Sequence, residues 1–185
     1  TSISGSLIPI QGKEERLKEL KKRLGELKVE RDDLYVPTNP NSMVVDVKTE
    51  GCACLRSAAK VPILVNMTVK DRFSSKITDL PVIFKAGDDI RSDMLAVQMI
   101  ELFDRINKHS GLDIYLCPYH IIATGPDCGI IEVVKNSMSR DQMGEKYNCN
   151  MYDYFLTKYG GRKTEAFFSA RACFIRSMSA YAIVS

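Results

Sequence analysis

Residues 81 to 108 leave this chain little freedom. Pro81 leads into Val82-Ile83-Phe84, a short apolar run with β-branched residues. Proline is tolerated at the start of a strand, and a run of this kind reads as a buried strand. Gly87 breaks it, and Asp88 and Asp89 then stand where a helix N-cap belongs. A long run follows from Ile90 to Lys108, in which Leu95, Met99, Leu102 and Ile106 fall on one helical face. This spacing predicts a strand, a tight turn, and a helix packed on the sheet.

Lys85 is out of place at the end of that strand, because an unpaired ammonium is costly to bury. Asp93, in the first turn of the predicted helix, is a candidate partner. A strand lysine facing an acid on the next helix is how kinases hold nucleotide phosphates. A snorkelling lysine, with an acid favoured by the helix N-terminus, accounts for the same spacing. Spacing alone leaves both open.

Other strands are expected at Met43 to Val47, and at Val61 to Lys70, where Ile63, Val65, Met67 and Val69 alternate. Three more are expected at Leu112 to Leu116, His120 to Thr124 and Gly129 to Val134, separated by turns at Cys117-Pro118 and Gly125-Pro126-Asp127. Connections this short force antiparallel pairing. The fold class is therefore α+β, an antiparallel sheet put at five strands, one fewer than the six segments that read as strands, with helix 90–108 against it. Thr1 to Gly12 reads as a linker or engineered join. Lys13 to Arg31 reads as a helix with a narrow leucine stripe at Leu17, Leu20, Leu24 and Leu27. Leu34 to Pro40 is a proline-bounded break, and Asp71 to Leu80 a short polar connection. Ser139-Arg140-Asp141-Gln142 is a capping-box pattern, and Asn150 and Thr164 are candidate caps for two further helices. In the last of these, Phe167, Phe168, Ala172, Ile175, Met178 and Ala182 are expected to face the core.

Composition excludes more than it identifies. With 45% hydrophobic and 26% charged residues, neither disorder nor a membrane-spanning segment is indicated. A net charge of +3 gives no basis for a nucleic-acid partner. Several of the six cysteines lie in apolar stretches, as reduced thiols of a cytoplasmic protein do. Cys52 and Cys54 with His109 or His120 match no zinc spacing, so no metal site is assigned.

The string I-F-K-A-G-D-D-I-R-S-D-M-L, residues 83 to 95, resembles the I-F-K-x-G-D-D-x-R-Q-D-M-L signature of phosphatidylinositol 3- and 4-kinases. Ser92 departs from it, where the family usually has Gln. P-T-N-P and L-R-S-A-A-K-V-P resemble the type III 4-kinases. S-R-D-Q-M-G, M-Y-D-Y-F-L-T-K-Y-G and F-I-R-S-M-S-A-Y are similar to the alpha branch of that group. The resemblance covers about residues 34 to 185.

That resemblance implies a kinase small lobe over residues 34–134, preceded by the linker and helix of 1–33 and followed by the first large-lobe helices in 135–185. It implies ATP as the phosphoryl donor, phosphatidylinositol as the acceptor, and magnesium. Lys85 becomes the phosphate clamp, Asp93 its partner, and Ser57, Ala58, Ala59 and Lys60 the cover over the phosphates. Ile83, Tyr119 and Ile131 line the pocket. Glu132, Val133 and Val134 form the hinge, with the Glu132 carbonyl and the Val134 amide reading adenine. The family's catalytic D-R-H-x-x-N and metal-binding D-F-G strings do not occur in these 185 residues. The magnesium ligands are accordingly expected outside this fragment, and the fragment alone is expected to be inactive. Peripheral attachment to the plasma membrane and contacts with a helical domain or adaptor are implied as well. A 3-kinase or related protein-kinase lobe, and a non-catalytic scaffold, are the alternatives.

Overall fold

The structure, a computed structural model, describes residues 2–31, 33–55 and 60–184. The chain divides into two compact units, one of Thr1–Val97 and Tyr119–Val133, the other of Gln98–Pro118 and Val134–Ser185.

The first unit is built on one antiparallel sheet. Its strands are β1 (Tyr35–Val36), β2 (Asn39–Cys54), β3 (Ile63–Asp71), β4 (Ile77–Ala86), β5 (Ile121–Gly125) and β6 (Cys128–Glu132), in the order β1-β2-β3-β4-β6-β5. Alternation separates its faces. Ile63, Val65 and Val69 are buried on one side, together with Val82 and Ile130, and the half-buried Phe84 packs against them. The register pairs Ile83 with Leu64 and with Ile131, and Lys85 with Gly129. Directly opposed residues share a face, so Ile83, Lys85 and Ile131 lie on the other side.

Helices α1 (Ser2–Leu7) and α2 (Lys13–Gly25) cover the first face. Leu7, Leu20 and Leu24 are buried there against Ile63, Val65 and Phe84. The leucine stripe of α2 thus docks on the sheet. The helix ends at Gly25 rather than at Arg31, because glycine is about 1 kcal/mol poorer than alanine inside a helix. Residues 2–7, read from sequence as linker, form α1, and the buried Ser4 hydroxyl donates to the Val61 carbonyl at 2.7 Å.

The sheet has six strands where five were expected. The short β1 comes from the segment read as a proline-bounded break, and its own Val36 is buried. Leu112–Leu116 is not a strand: Leu116 is buried, but the segment joins no ladder. Its local pattern was strand-like, yet pairing is a non-local property that no pattern fixes. The polar connection of 71–80 is itself a hairpin, since β4 starts at Ile77.

The second unit holds the later part of α3 (Arg91–His109), α4 (Arg140–Tyr147), α5 (Met151–Lys158) and α6 (Glu165–Val184). Ser139 and Gln142 form a reciprocal capping box, and the Asn150 side chain caps α5. Thr164 Oγ1 accepts from the Phe167 amide at 3.2 Å. The expected burial differs. Phe167 is buried in α6, but Phe168, Ile175 and Met178 are exposed, as are Leu95, Met99, Leu102 and Ile106 of α3. An apolar stripe reports which face of a helix is sticky, not what covers it. No helix among the described residues is long and apolar enough to cross a membrane.

Candidate functional site

β4 is interior to the sheet and ends at Ala86, so Lys85 leaves the ladder from a fixed position. Its side chain is 22% exposed, and its ammonium lies 2.7 Å from Asp88 Oδ2 and 3.4 Å from Asp93 Oδ2. Two carboxylates thus hold one cation. The hydrogen bond to Asp88 is the main reason the Lys85 ammonium is held above its ordinary range; burial opposes it, and the charges of Asp88 and Asp93 reinforce it.

The turn that carries Asp88 is tightly built. Gly87 has φ 78°, a left-handed conformation that suits glycine. The Gly87 and Asp88 amides both donate to the Asp127 carbonyl, at 2.7 and 3.1 Å. A Cβ on Gly87 would lie 3.0 Å from Lys60 Nζ, so a second ammonium stands beside this turn. Ile90, fully buried, packs where Gly129 leaves room opposite Lys85.

Asp89 is separate from this cluster. Its Oδ1 accepts from the Arg91 amide at 3.0 Å, and its two oxygens take the Arg91 guanidinium at 2.6 to 3.0 Å. It therefore closes an Asx turn that leads into α3. The Arg91 side chain, then its amide, hold the Asp89 carboxyl down at about 2. A depressed carboxylate stabilises the fold above its unfolded value, 3.8, and that contribution disappears as pH falls through about 2. Carbon-detected NMR should find Asp89 still ionised at pH 3. In Arg91→Ala its midpoint should rise toward 3.8; an unmoved midpoint would contradict the pairing.

The residues expected from the sequence to form the pocket and hinge are placed as follows. Ile83 and Ile131 are half-buried on the Lys85 face. Tyr119, half-buried, lies two residues before the start of β5. The Glu132 carboxylate accepts from the His120 amide at 2.9 Å and lies 2.6 Å from His120 Nδ1. The side chain is thus committed to the β5 side, as is the Glu132 amide, which donates to the His120 carbonyl at 2.8 Å. The ladder stops at Glu132. Among the described residues, neither the Val133 nor the Val134 amide donates to a backbone carbonyl. Val134 belongs to the second unit, where its carbonyl accepts from Ser137 Oγ at 2.6 Å. Ser57, Ala58 and Ala59 lie outside the described residues.

A cavity of about 340 Å³ is lined by Ile3, Leu24, Val65, Phe84 and Ile130, so it belongs to the α2 side of the sheet although it reaches Lys85 and Ala86 at the end of β4. It is distinct from the face bearing Ile83 and Ile131. Sequence reasoning treated Asp88 only as a cap, yet it is the nearer partner of Lys85. The available signal was that Gly87 makes a turn there, which folds position 88 back on 85.

Residues 79–185 match the family described as Phosphatidylinositol 3- and 4-kinase. "Phosphatidylinositol 4-kinase alpha 1" of Arabidopsis thaliana is 43% identical over 187 residues, covering 100% of this chain and 9% of the relative. "Phosphatidylinositol 4-kinase STT4" of Saccharomyces cerevisiae is 37% identical over 195 residues, covering 100% of this chain and 10% of the relative. "Phosphatidylinositol 4-kinase beta" of Sorex araneus is 36% identical over 105 residues, 57% of this chain and 13% of the relative. The chain thus spans about a tenth of the length of these relatives. The first two matches include the N-terminal residues that read as a linker.

Proposed function

The chain belongs to the phosphatidylinositol 3- and 4-kinase family, and on that premise we propose that it is the nucleotide-binding lobe of a phosphatidylinositol 4-kinase of the alpha type. In the whole protein this lobe serves transfer of the ATP γ-phosphate to the 4-hydroxyl of phosphatidylinositol. The single observation that carries the reading is Lys85, fixed at a strand end and held by Asp88 and Asp93.

Phosphoryl transfer asks the protein mainly for position and charge. Lys85 supplies a cation beside the phosphates. Asp93, on the first turn of α3, keeps that cation aimed. Asp88 is on a turn, exposed, and is the carboxylate that an incoming phosphate displaces. Ser57, Ala58, Ala59 and Lys60 form the cover over the phosphates, to which Lys60 alone adds charge. Ile83, Tyr119 and Ile131 give adenine an apolar wall. The hinge of Glu132, Val133 and Val134 reads its edge, through the Glu132 carbonyl and the Val134 amide. Magnesium, when bound, neutralises phosphate charge; both carboxylates near Lys85 are engaged by the ammonium, so no metal ligand is assigned within this chain. We place the whole protein at the cytoplasmic face of a membrane, where its lipid substrate lies.

The test is an assay of the full-length protein with radiolabelled ATP and phosphatidylinositol vesicles. Label should appear in lipid phosphorylated at the 4-position. Label at the 3-position, or on protein alone, would overturn the reading.

A further inference from the structure

The β3–β4 hairpin ends in the turn of residues 71–76, and its tip is unlike the rest of the sheet. Phe73 is 81% exposed at the apex. A solvated phenyl ring there stabilises nothing in the fold. The turn is nevertheless well formed. Asp71 Oδ1 accepts from the Phe73 amide at 3.1 Å, the Ser74 amide at 2.6 Å and the Ser74 hydroxyl at 2.7 Å. Ser75 closes it in the left-handed region at φ 55°. The ring is thus presented by a turn with its own hydrogen bonds.

Charge surrounds the ring. Lys70, Arg72 and Lys76 flank it, all exposed, and none is in an ion pair among the described residues. Arg72 Nη2 instead contacts Met43 Sδ at 3.1 Å. The one acid in the turn, Asp71, is occupied by the turn's own donors. The adjoining sheet face continues the pattern. Register places Tyr35, Met43, Lys70 and Ile77 in one row across β1, β2, β3 and β4. Tyr35 is 52% exposed and Ile77 62%.

Exposed aromatic and aliphatic side chains interleaved with unpaired cations suit one kind of surface. The rings prefer the boundary between acyl chains and headgroups, and the cations prefer an anionic leaflet. A protein partner would need a matching acidic rim around an apolar socket; an anionic bilayer offers both over its whole area. We propose that this hairpin tip is a membrane-docking element: Phe73 inserts at the acyl boundary, Tyr35 and Ile77 lie at the interface, and Lys70, Arg72 and Lys76 bind anionic headgroups. From Ile77 to Lys85 is eight residues of β4, about 26 Å at the rise of a strand. Docking here leaves the Lys85 end of the sheet free. The proposal rests on the tip and not on the kinase reading.

The chain contains no tryptophan, so Phe73→Trp is a single reporter. Its fluorescence should shift to the blue with phosphatidylcholine–phosphatidylserine vesicles, and brominated acyl chains should quench it. Phosphatidylcholine alone should do neither. Neutralising Lys70, Arg72 and Lys76 together to Gln should weaken vesicle affinity about a hundred-fold. Phe73→Ala should reduce co-sedimentation while leaving nucleotide binding unchanged. Absence of a shift with anionic vesicles would overturn the proposal. So would vesicle binding indifferent to Phe73→Ala, or a shift that depends on protein concentration without lipid, which would mean a second copy seats on the tip. Failure of the lipid kinase assay alone would leave vesicle docking standing, so the two ideas fail separately.

Discussion

Lys85→Ala in the full-length protein should lower phosphoryl transfer by about 10²–10³-fold, the loss that follows removal of one preorganised electrostatic contact to developing charge. The substitution removes the cation that Asp88 and Asp93 hold. It also leaves those two carboxylates facing each other, which repels the phosphates further. Lys85→Arg keeps the charge but replaces a compact ammonium with a planar fork, so it should recover only part of the activity. Asp88→Asn should behave differently. It frees Lys85 of its nearer partner without removing the cation, so ATP affinity should hold or improve. Asp93→Asn should impair turnover, because the aiming partner on α3 is lost. If Lys85→Ala turned over lipid at the parent rate with its fold intact by circular dichroism, the cation would not serve the phosphates. The pH behaviour has a definite sign. The folded Lys85 is raised above its ordinary 10.5. Its contribution to stability is complete below the unfolded value and lost only as pH rises through the higher folded one. Nucleotide affinity should therefore not decline through mildly alkaline pH on account of Lys85.

The strand–turn–helix of residues 81–109 was legible because two periods meet at one glycine. Val82 and Phe84 alternate with Ile83 and Lys85, the period changes after Gly87, and the structure follows that change. The pairing of Lys85 was only half legible. Asp93 was evident as a first-turn acid. Asp88 required the sharp return of the chain at Gly87, whose φ of 78° is a consequence of tertiary anchoring to the Asp127 carbonyl. Contacts of that kind join residues forty positions apart and leave no local pattern. The same limit explains β1 and Leu112–Leu116. Tyr35-Val36 is too short to read as a strand, yet β2 pairs with it; Leu112–Leu116 has the composition of a strand but no partner. Helix caps were the most legible features, since Ser139, Asn150 and Thr164 act through amides only three residues away. Exposed apolar faces on α3 and α6 were the least legible, because periodicity carries no information about what lies opposite.

Gly129→Ala should be the most destabilising single-methyl change near the site. A Cβ at this position would overlap Ile90 Cδ1 and come within 2.5 Å of the Ile122 carbonyl oxygen. The backbone dihedral does not demand glycine here: Gly129 is absent from the positive-φ positions. Space does. Ile90 is fully buried and fills the room that the missing side chain leaves opposite Lys85. Overpacking of this kind costs about 3 kcal/mol, at the upper end of the usual range, because one of the two obstacles is backbone. For a chain of this size that corresponds to a fall in Tm of about 6–12 °C. The strain also has a direction. Ile90 joins the Asp88 turn to α3, so moving it displaces Asp88 and Asp93 relative to Lys85. Gly129→Ala should consequently weaken nucleotide binding even at temperatures where the protein stays folded. A double-mutant cycle with Ile90→Ala separates the two obstacles. If Ile90 dominates, the pair should cost less than the sum of the single changes by about 1–3 kcal/mol. If the Ile122 carbonyl dominates, the costs should simply add. Urea titrations of the four proteins decide between these, and a Gly129→Ala variant within about 1 kcal/mol of the parent would show that β6 can withdraw from Ile90, removing the link from this glycine to the Lys85 cluster.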